Sequence, residues 1–157
     1  MDGERKTIIV CGFPGVGKTL AASWAAGVVI DCDSSRFHYT SEGEERVGWV
    51  KQYVDQIESL AKKGEYTVVL TSTHAQVLNE LDNRGLDYII VLPRRDCKDE
   101  YLGRYLKRGS DFDFVEDRFW TWDTFLDQLE ERAVPQIHLG PGQYIADILP
   151  KRRYFRS

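Results

Sequence analysis

The chain has 157 residues, 42% of them hydrophobic, and 21 Lys plus Arg against 25 Asp plus Glu give it a net charge of −4. A chain of this size buries roughly 70% of its unfolded surface in one globular domain, which excludes disordered and fibrous classes, and its charge balance excludes a surface covered by a nucleic-acid footprint. No apolar run approaches the roughly 20 residues of a membrane span. The polar start Met1-Asp2-Gly3-Glu4-Arg5-Lys6 lacks the apolar core of a signal peptide, so the chain is expected in the cytosol as a monomer or homodimer. Cys11, Cys32 and Cys97 form no CxxC pair and are expected as free thiols with no structural metal. No repeat or linker divides the chain, and one domain over 1–157 is expected.

In chain order, Thr7 to Cys11 is a β-branched run entering a Gly-rich turn, the pattern of a strand buried on both faces. Val28 to Asp31 reads the same way. Ser41 then predicts a helix start through a capping box with Glu44, followed by Val47, Val50, Val54, Ile57 and Ala61 at helical steps. After a strand over Thr67 to Thr71, Thr73 with Gln76 repeats the capping signature ahead of Val77 and Leu81, and Asn83 to Gly85 supplies the stop. A strand over Tyr88 to Leu92 leads to a helix from Asp96 through Tyr101, Leu102 and Tyr105 to Gly109. Val115, Phe119, Trp122, Leu126, Leu129 and Ala133 mark a long helix lying against the sheet, and Gln136 to Leu139 is a fifth buried strand. This alternation predicts a three-layer α/β fold with a five-stranded parallel sheet and right-handed crossovers. Ligands of such sheets bind beyond the carboxyl ends of the strands.

The first of those ends reads Gly12-Phe13-Pro14-Gly15-Val16-Gly17-Lys18-Thr19, a complete G-x-x-x-x-G-K-[ST] pattern between a strand and a helix. Glycines let successive N–H groups converge on phosphate oxygens, and the following helix adds its free N–H groups and positive dipole end. Gly12, Pro14, Gly15, Val16, Gly17, Lys18, Thr19 and Leu20, with Arg104 from later in the chain, are the candidate ATP contacts. Lys18 suits the β- and γ-phosphates and is expected to project into solvent when the site is empty. The Thr19 hydroxyl suits Mg²⁺.

The second strand ends in Asp31-Cys32-Asp33-Ser34-Ser35-Arg36. Two carboxylates two residues apart on an extended segment point the same way; one can hold a Mg²⁺ water and the other can accept a proton from an attacking hydroxyl. Asp33 is the candidate base, and Arg36, with its planar fork, the candidate clamp for an acceptor phosphate. An ordinary Asp/Ser turn is the alternative. Arg104 and Arg108, four apart on one helical face, are candidates for a short lid over 104–118 that excludes water from the transferring phosphate. A solvated basic face paired with Asp99 and Glu100 competes with that reading, and Arg118 is a third candidate. Trp49 is the candidate stacking surface for a base. His74 is either an acceptor contact or a capping-turn histidine.

The Gly12–Thr19 loop followed by Asp33-x-x-Arg36 resembles the small P-loop kinases of the nucleotide kinase, shikimate kinase and phage polynucleotide kinase group. Tyr101-Leu102-x-Arg104-Tyr105-x-x-Arg108-Gly109, with Phe114, Trp122, Ser72, His74 and Gly142-x-Tyr144, is similar to small phage and bacterial nucleotide-kinase-like ATP-binding proteins over most of the chain. The resemblance implies a P-loop NTPase fold of nucleoside monophosphate kinase type, ATP and Mg²⁺, and adenine contact near Gly140 to Tyr144. One departure concerns the metal: the third strand ends Leu70-Thr71-Ser72-Thr73-His74, without the usual carboxylate, and Asp31 is the substitute candidate beside Thr19. The expected activity is transfer of the ATP γ-phosphate to a nucleoside or nucleoside monophosphate. A hydroxyl on a nucleic-acid end or a hydroxymethylated base is the alternative acceptor, and a nucleotide-hydrolysing ATPase or non-catalytic ATP-binding module the alternative class. The tail Lys151, Arg152, Arg153 and Arg156, interleaved with Tyr154 and Phe155, can pair with phosphates and stack on bases. On an otherwise acidic chain it is read first as a solubility tail.

Overall fold

β-branched and aliphatic residues without polar interruption can be buried only where both faces of a strand are covered, and the first strand meets that condition at the centre of the sheet. The computed structural model describes residues 6–149, apart from the side chains of Ser35 and Arg36. The basic tail and any side-chain role of Arg36 therefore lie outside the described residues. Strands β1 (Ile8–Gly12), β2 (Val29–Asp31), β3 (Val68–Thr71), β4 (Ile89–Pro93) and β5 (Gln136–Leu139) form one parallel sheet in the order β2-β3-β1-β4-β5. β1, β3 and β4 are buried almost throughout, whereas β2 and β5 are half-open because they are the two edges. The expectation that all five strands are covered on both faces fails at these edges.

Helices α1 (Lys18–Trp24), α2 (Ser35–His38), α3 (Trp49–Lys63), α4 (Ala75–Asn83), α5 (Lys98–Lys107) and α6 (Phe112–Glu130) connect the strands. The predicted helix start at Ser41 is wrong. Thr40 N–H donates to the Glu44 carbonyl, Arg46 N–H to that of His38, and Tyr39 bridges Glu45, so 39–46 is a small hairpin. The Ser41–Glu44 pair belongs to its tip, with the Thr40 hydroxyl accepting from the N–H groups of Glu42 and Glu44. Helix α3 begins after Gly48; Val47 is fully exposed, and the buried stripe is Trp49, Tyr53, Val54, Ile57 and Leu60. The Thr73–Gln76 box also fails to form: α4 starts after His74 with no side-chain cap, and Thr73 is buried.

In α6 the stripe is Val115, Trp122, Leu126 and Leu129; Phe119 is largely exposed, and Ala133 lies past the helix end. Its face packs on α5 and on Phe13 just beyond β1: the Trp122 ring lies 5.4 Å from that of Phe13, and the indole N–H donates to the Arg95 carbonyl at 3.0 Å. Arg95 itself is held by Asp123, Asp127 and Glu130 on α6, and Arg94 by Asp96. The three cysteines are buried and form no disulfide among the described residues. No helix of the described residues is long and apolar enough to cross a membrane.

Trp122 is 2% exposed and Trp120 74% exposed on the same helix. Trp122→Ala is expected to cost about 3–5 kcal/mol in urea unfolding, and Trp120→Ala less than about 0.5 kcal/mol. Similar losses from both would contradict the orientation of α6.

Candidate active site

The carboxyl ends of β1, β2 and β3 and the α5–α6 corner surround a cavity of about 720 Å³. Its floor is the loop between β1 and α1. Gly15 and Gly17 have φ of 95° and 92°, a region that an L side chain enters only with strain. Space is short there as well, since a Cβ on Gly15 would lie 2.9 Å from the ring of the fully buried Tyr105 and one on Gly17 3.0 Å from that of Tyr144, so a ring would have to give way in each case. The N–H of Val16 closes a turn onto the Phe13 carbonyl at 3.2 Å, so Val16 offers no free donor, and its side chain is fully buried. The N–H groups of Gly15, Gly17, Lys18 and Thr19 meet no acceptor among the described residues, and α1 has no side-chain cap. Converging unpaired donors at a helix start form an anion cradle. Gly12, Pro14, Thr19 and the half-exposed Leu20 complete this wall.

Lys18 does not project into solvent. Its Nζ donates to the Gly12 carbonyl at 2.9 Å across the loop, and burial lowers its ammonium to about 8 in spite of the Asp31 carboxylate, which opposes the shift. The Thr19 hydroxyl donates to Asp31 Oδ2 at 3.3 Å, at the lip of the cradle. A hydroxyl and a carboxylate oxygen side by side next to an anion cradle are the hard donors that suit Mg²⁺. The residues present therefore fit that ion.

The opposite wall joins β2, β3 and α6. Asp33 is exposed at the cavity, with Ser34, Ser72, Thr73 and His74 beside it. The Tyr53 hydroxyl donates to the Cys32 carbonyl and accepts from Ser72 N–H, tying the ends of β2 and β3 together. The Ser72 hydroxyl is buried without a partner. Burial, reinforced by His38, Arg118 and Lys18, lowers the His74 imidazole below its ordinary value, so it is neutral near pH 7. Trp49 is 4% exposed and lies outside the cavity lining. Its ring stacks on His38 at 4.0 Å and meets His74 edge-on at 5.5 Å, so it braces His74 and offers no free face to a base.

The α5–α6 corner brings Arg104, Lys107, Arg108 and Arg118 to the cavity. Arg108 is exposed, its Nε donating to Ser110 Oγ at 2.9 Å. Arg118, third among the lid candidates in sequence, lies over the rings of Phe114 and Phe125, with its Nε buried and unpartnered. Arg104 is only 11% exposed. It donates to the Gly15 carbonyl at 2.8 Å, the Gln143 carbonyl at 2.9 Å and the Glu100 carboxylate. It is committed to the loop itself, and the geometry does not present it as a free lid cation. Phe125 and Lys107 were missed in sequence. Phe125 stands three residues after Trp122, on the edge of the apolar stripe, and that spacing was the available signal.

No protein-family model matches the chain, and no curated protein is similar to it in sequence. A solved structure shares the fold. The tunicamycin resistance protein of Deinococcus radiodurans superposes with a TM-score of 0.62 at 15% identity, over 92% of this chain and 91% of that one. A shikimate kinase from Bacteroides thetaiotaomicron gives a TM-score of 0.47 at 20% identity, over 83% of each chain. The chain thus has a three-layer α/β fold with a five-stranded parallel sheet and a Gly-rich loop after its first strand.

Anion binding at this cradle is expected to draw on the Lys18 ammonium, which burial lowers to about 8. Affinity for ADP is expected to hold just below that pH and to fall by up to tenfold per unit above it. In Lys18→Arg the break should vanish, because a guanidinium stays charged. Calorimetric titration across this range checks both curves, and an unbroken profile in the unmodified chain would contradict the assignment.

Proposed function

We propose that the chain is an ATP-dependent phosphotransferase acting on a small nucleotide-like acceptor, a nucleoside or nucleoside monophosphate. The observation that carries this reading is that one cavity joins an anion cradle on β1–α1 to a second wall bearing Asp33, Ser72, His74 and Arg118. A hydrolase needs room for one water beyond the terminal phosphate, and this cavity has room for an organic acceptor.

In this reading the triphosphate lies on the N–H groups of Gly15, Gly17, Lys18 and Thr19, with the base toward Gly140 to Tyr144. Thr19 and Asp31 would hold Mg²⁺, which supplies charge neutralisation between the β- and γ-phosphates. Asp33 accepts the proton of the attacking hydroxyl as its oxygen bonds to the γ-phosphorus and the bond to the ADP oxygen breaks. Lys18, Arg108 and Arg118 supply positive charge where the transferring group carries most negative charge. His74, being neutral, donates or accepts a hydrogen bond to the acceptor without adding charge. Arg108 closes the corner over the phosphates, excluding water.

Lys18→Ala is expected to keep the fold and to lower turnover by more than about two orders of magnitude. Labelled ATP with a panel of nucleosides and nucleotides tests this, and near-normal turnover in that variant would remove the mechanism. Asp33→Asn should lower kcat far more than it alters ATP affinity. A change confined to the KM of the acceptor would make Asp33 a binding residue and favour a phosphate acceptor.

A further inference from the structure

Three consecutive carbonyls of the β1–α1 loop are each held by a partner from elsewhere in the fold, two of them, Tyr105 and Ile145, outside the cavity lining and the third, Arg104, at its edge. The Pro14 carbonyl accepts from the Tyr105 hydroxyl at 2.6 Å, that of Gly15 from Arg104 at 2.8 Å, and that of Val16 from the N–H of Ile145 at 2.8 Å. In a trans peptide the C=O of one residue and the N–H of the next point in opposite directions. Holding the Pro14 and Val16 carbonyls outward therefore turns the N–H groups of Gly15 and Gly17 inward, where they meet no protein acceptor. Holding the Gly15 carbonyl on Arg104 aims the N–H of Val16 the opposite way, at the Phe13 carbonyl, which closes the turn.

Two of the three holders are neighbouring side chains on α5. Tyr105 is fully buried, and its hydroxyl gives its hydrogen bond to the loop. Arg104 is clasped between the rings of Tyr101 and Tyr144, 4.3 and 3.8 Å from its guanidinium carbon. Through Gln143 and through Glu100, which accepts from the Gly142 N–H, it also fastens the 140–145 loop to the phosphate loop.

We infer that Tyr105 and Arg104 are positioning residues that preset the phosphate cradle by fixing the orientation of its carbonyls, and that Arg104 does not act on the transferring phosphate. The inference rests on the reading of this loop as a phosphate site. Without the two holders, the peptide planes could rotate, and each bound anion would have to order the loop first.

The test uses the full chain, with inorganic tripolyphosphate and ADP as probes. Tyr105→Phe removes one oxygen and is expected to weaken both by about three- to tenfold, and Arg104→Lys to weaken both at least as much. Because tripolyphosphate has no base, equal losses for the two probes locate the effect at the loop. Amide hydrogen exchange at Gly15 and Gly17 in the unliganded variants should be faster than in the unmodified chain. Three results would overturn the inference: unchanged affinities with only a lower Tm, unchanged affinities with lower turnover, or a loss for ADP alone. If the unmodified chain binds neither probe, the phosphate-site reading itself fails, and that result is distinguishable because it needs no variant.

Discussion

The side chain of Phe13 is the point at which core and cavity meet. It belongs to the glycine-rich loop by sequence, yet it is fully buried, with its ring 4.9 Å from Phe125, 5.4 Å from Trp122 and 6.1 Å from Tyr101. Its backbone N–H donates to Val91 on β4. One residue thus ties the loop to the sheet and to both helices that carry the cavity's arginines. Burying such a ring contributes roughly 1.5–3 kcal/mol. The geometric effect matters more, because the loop cannot shift without moving α5 and α6. The loop carbonyls can be held by α5 only because Phe13 keeps that helix at a fixed distance.

The cavity is electrically divided. Lys18, Arg104, Lys107, Arg108 and Arg118 come from the helix sides, and the carboxylates Asp31 and Asp33 come from the edge strand β2. On a chain of net charge −4 this is a local reversal of sign. Such a concave positive region draws anions toward the loop and raises their local concentration. The carboxylates are gathered on the β2 side and leave the loop and the α5–α6 corner positive.

Much of this was legible in the sequence where the signal is local. The strand, the glycines and the lysine of the first turn follow one another without interruption, and their physical roles depend on backbone directions that neighbouring residues set. The five strands emerged within one residue of their ends, because β-branched runs are short and bounded by turn residues. What failed depended on distant partners. Ser41 and Glu44 carry a capping pattern, but Thr40 and the Tyr39–Glu45 bridge use the same segment for a hairpin, and no periodicity over eight residues distinguishes the two. Trp49 lies next to an apolar stripe on a helical wheel; only His38, folded back from α2, shows that its face is taken. Arg104 and Arg108 share one helical face in sequence, yet one is buried under Tyr144 and the other open, a distinction made by the 140–145 loop some forty residues on.

The order of the sheet also bears on how the chain is made. Ile8 stands opposite Val68, and Val10 opposite Ile89, so the central strand precedes both of its neighbours by some sixty residues or more. At ribosomal rates of about 5–20 residues per second, roughly 4–16 seconds separate the emergence of β1 from that of β4. For most of that interval, until β3 emerges, Ile8-Ile9-Val10-Cys11 has neither of its permanent partners, and parallel pairings across such separations are slow to form. The strand that later carries the Gly-rich loop is, during synthesis, a segment open to wrong partners. Demand on chaperones during expression should be set by this nascent segment more than by the stability of the finished fold.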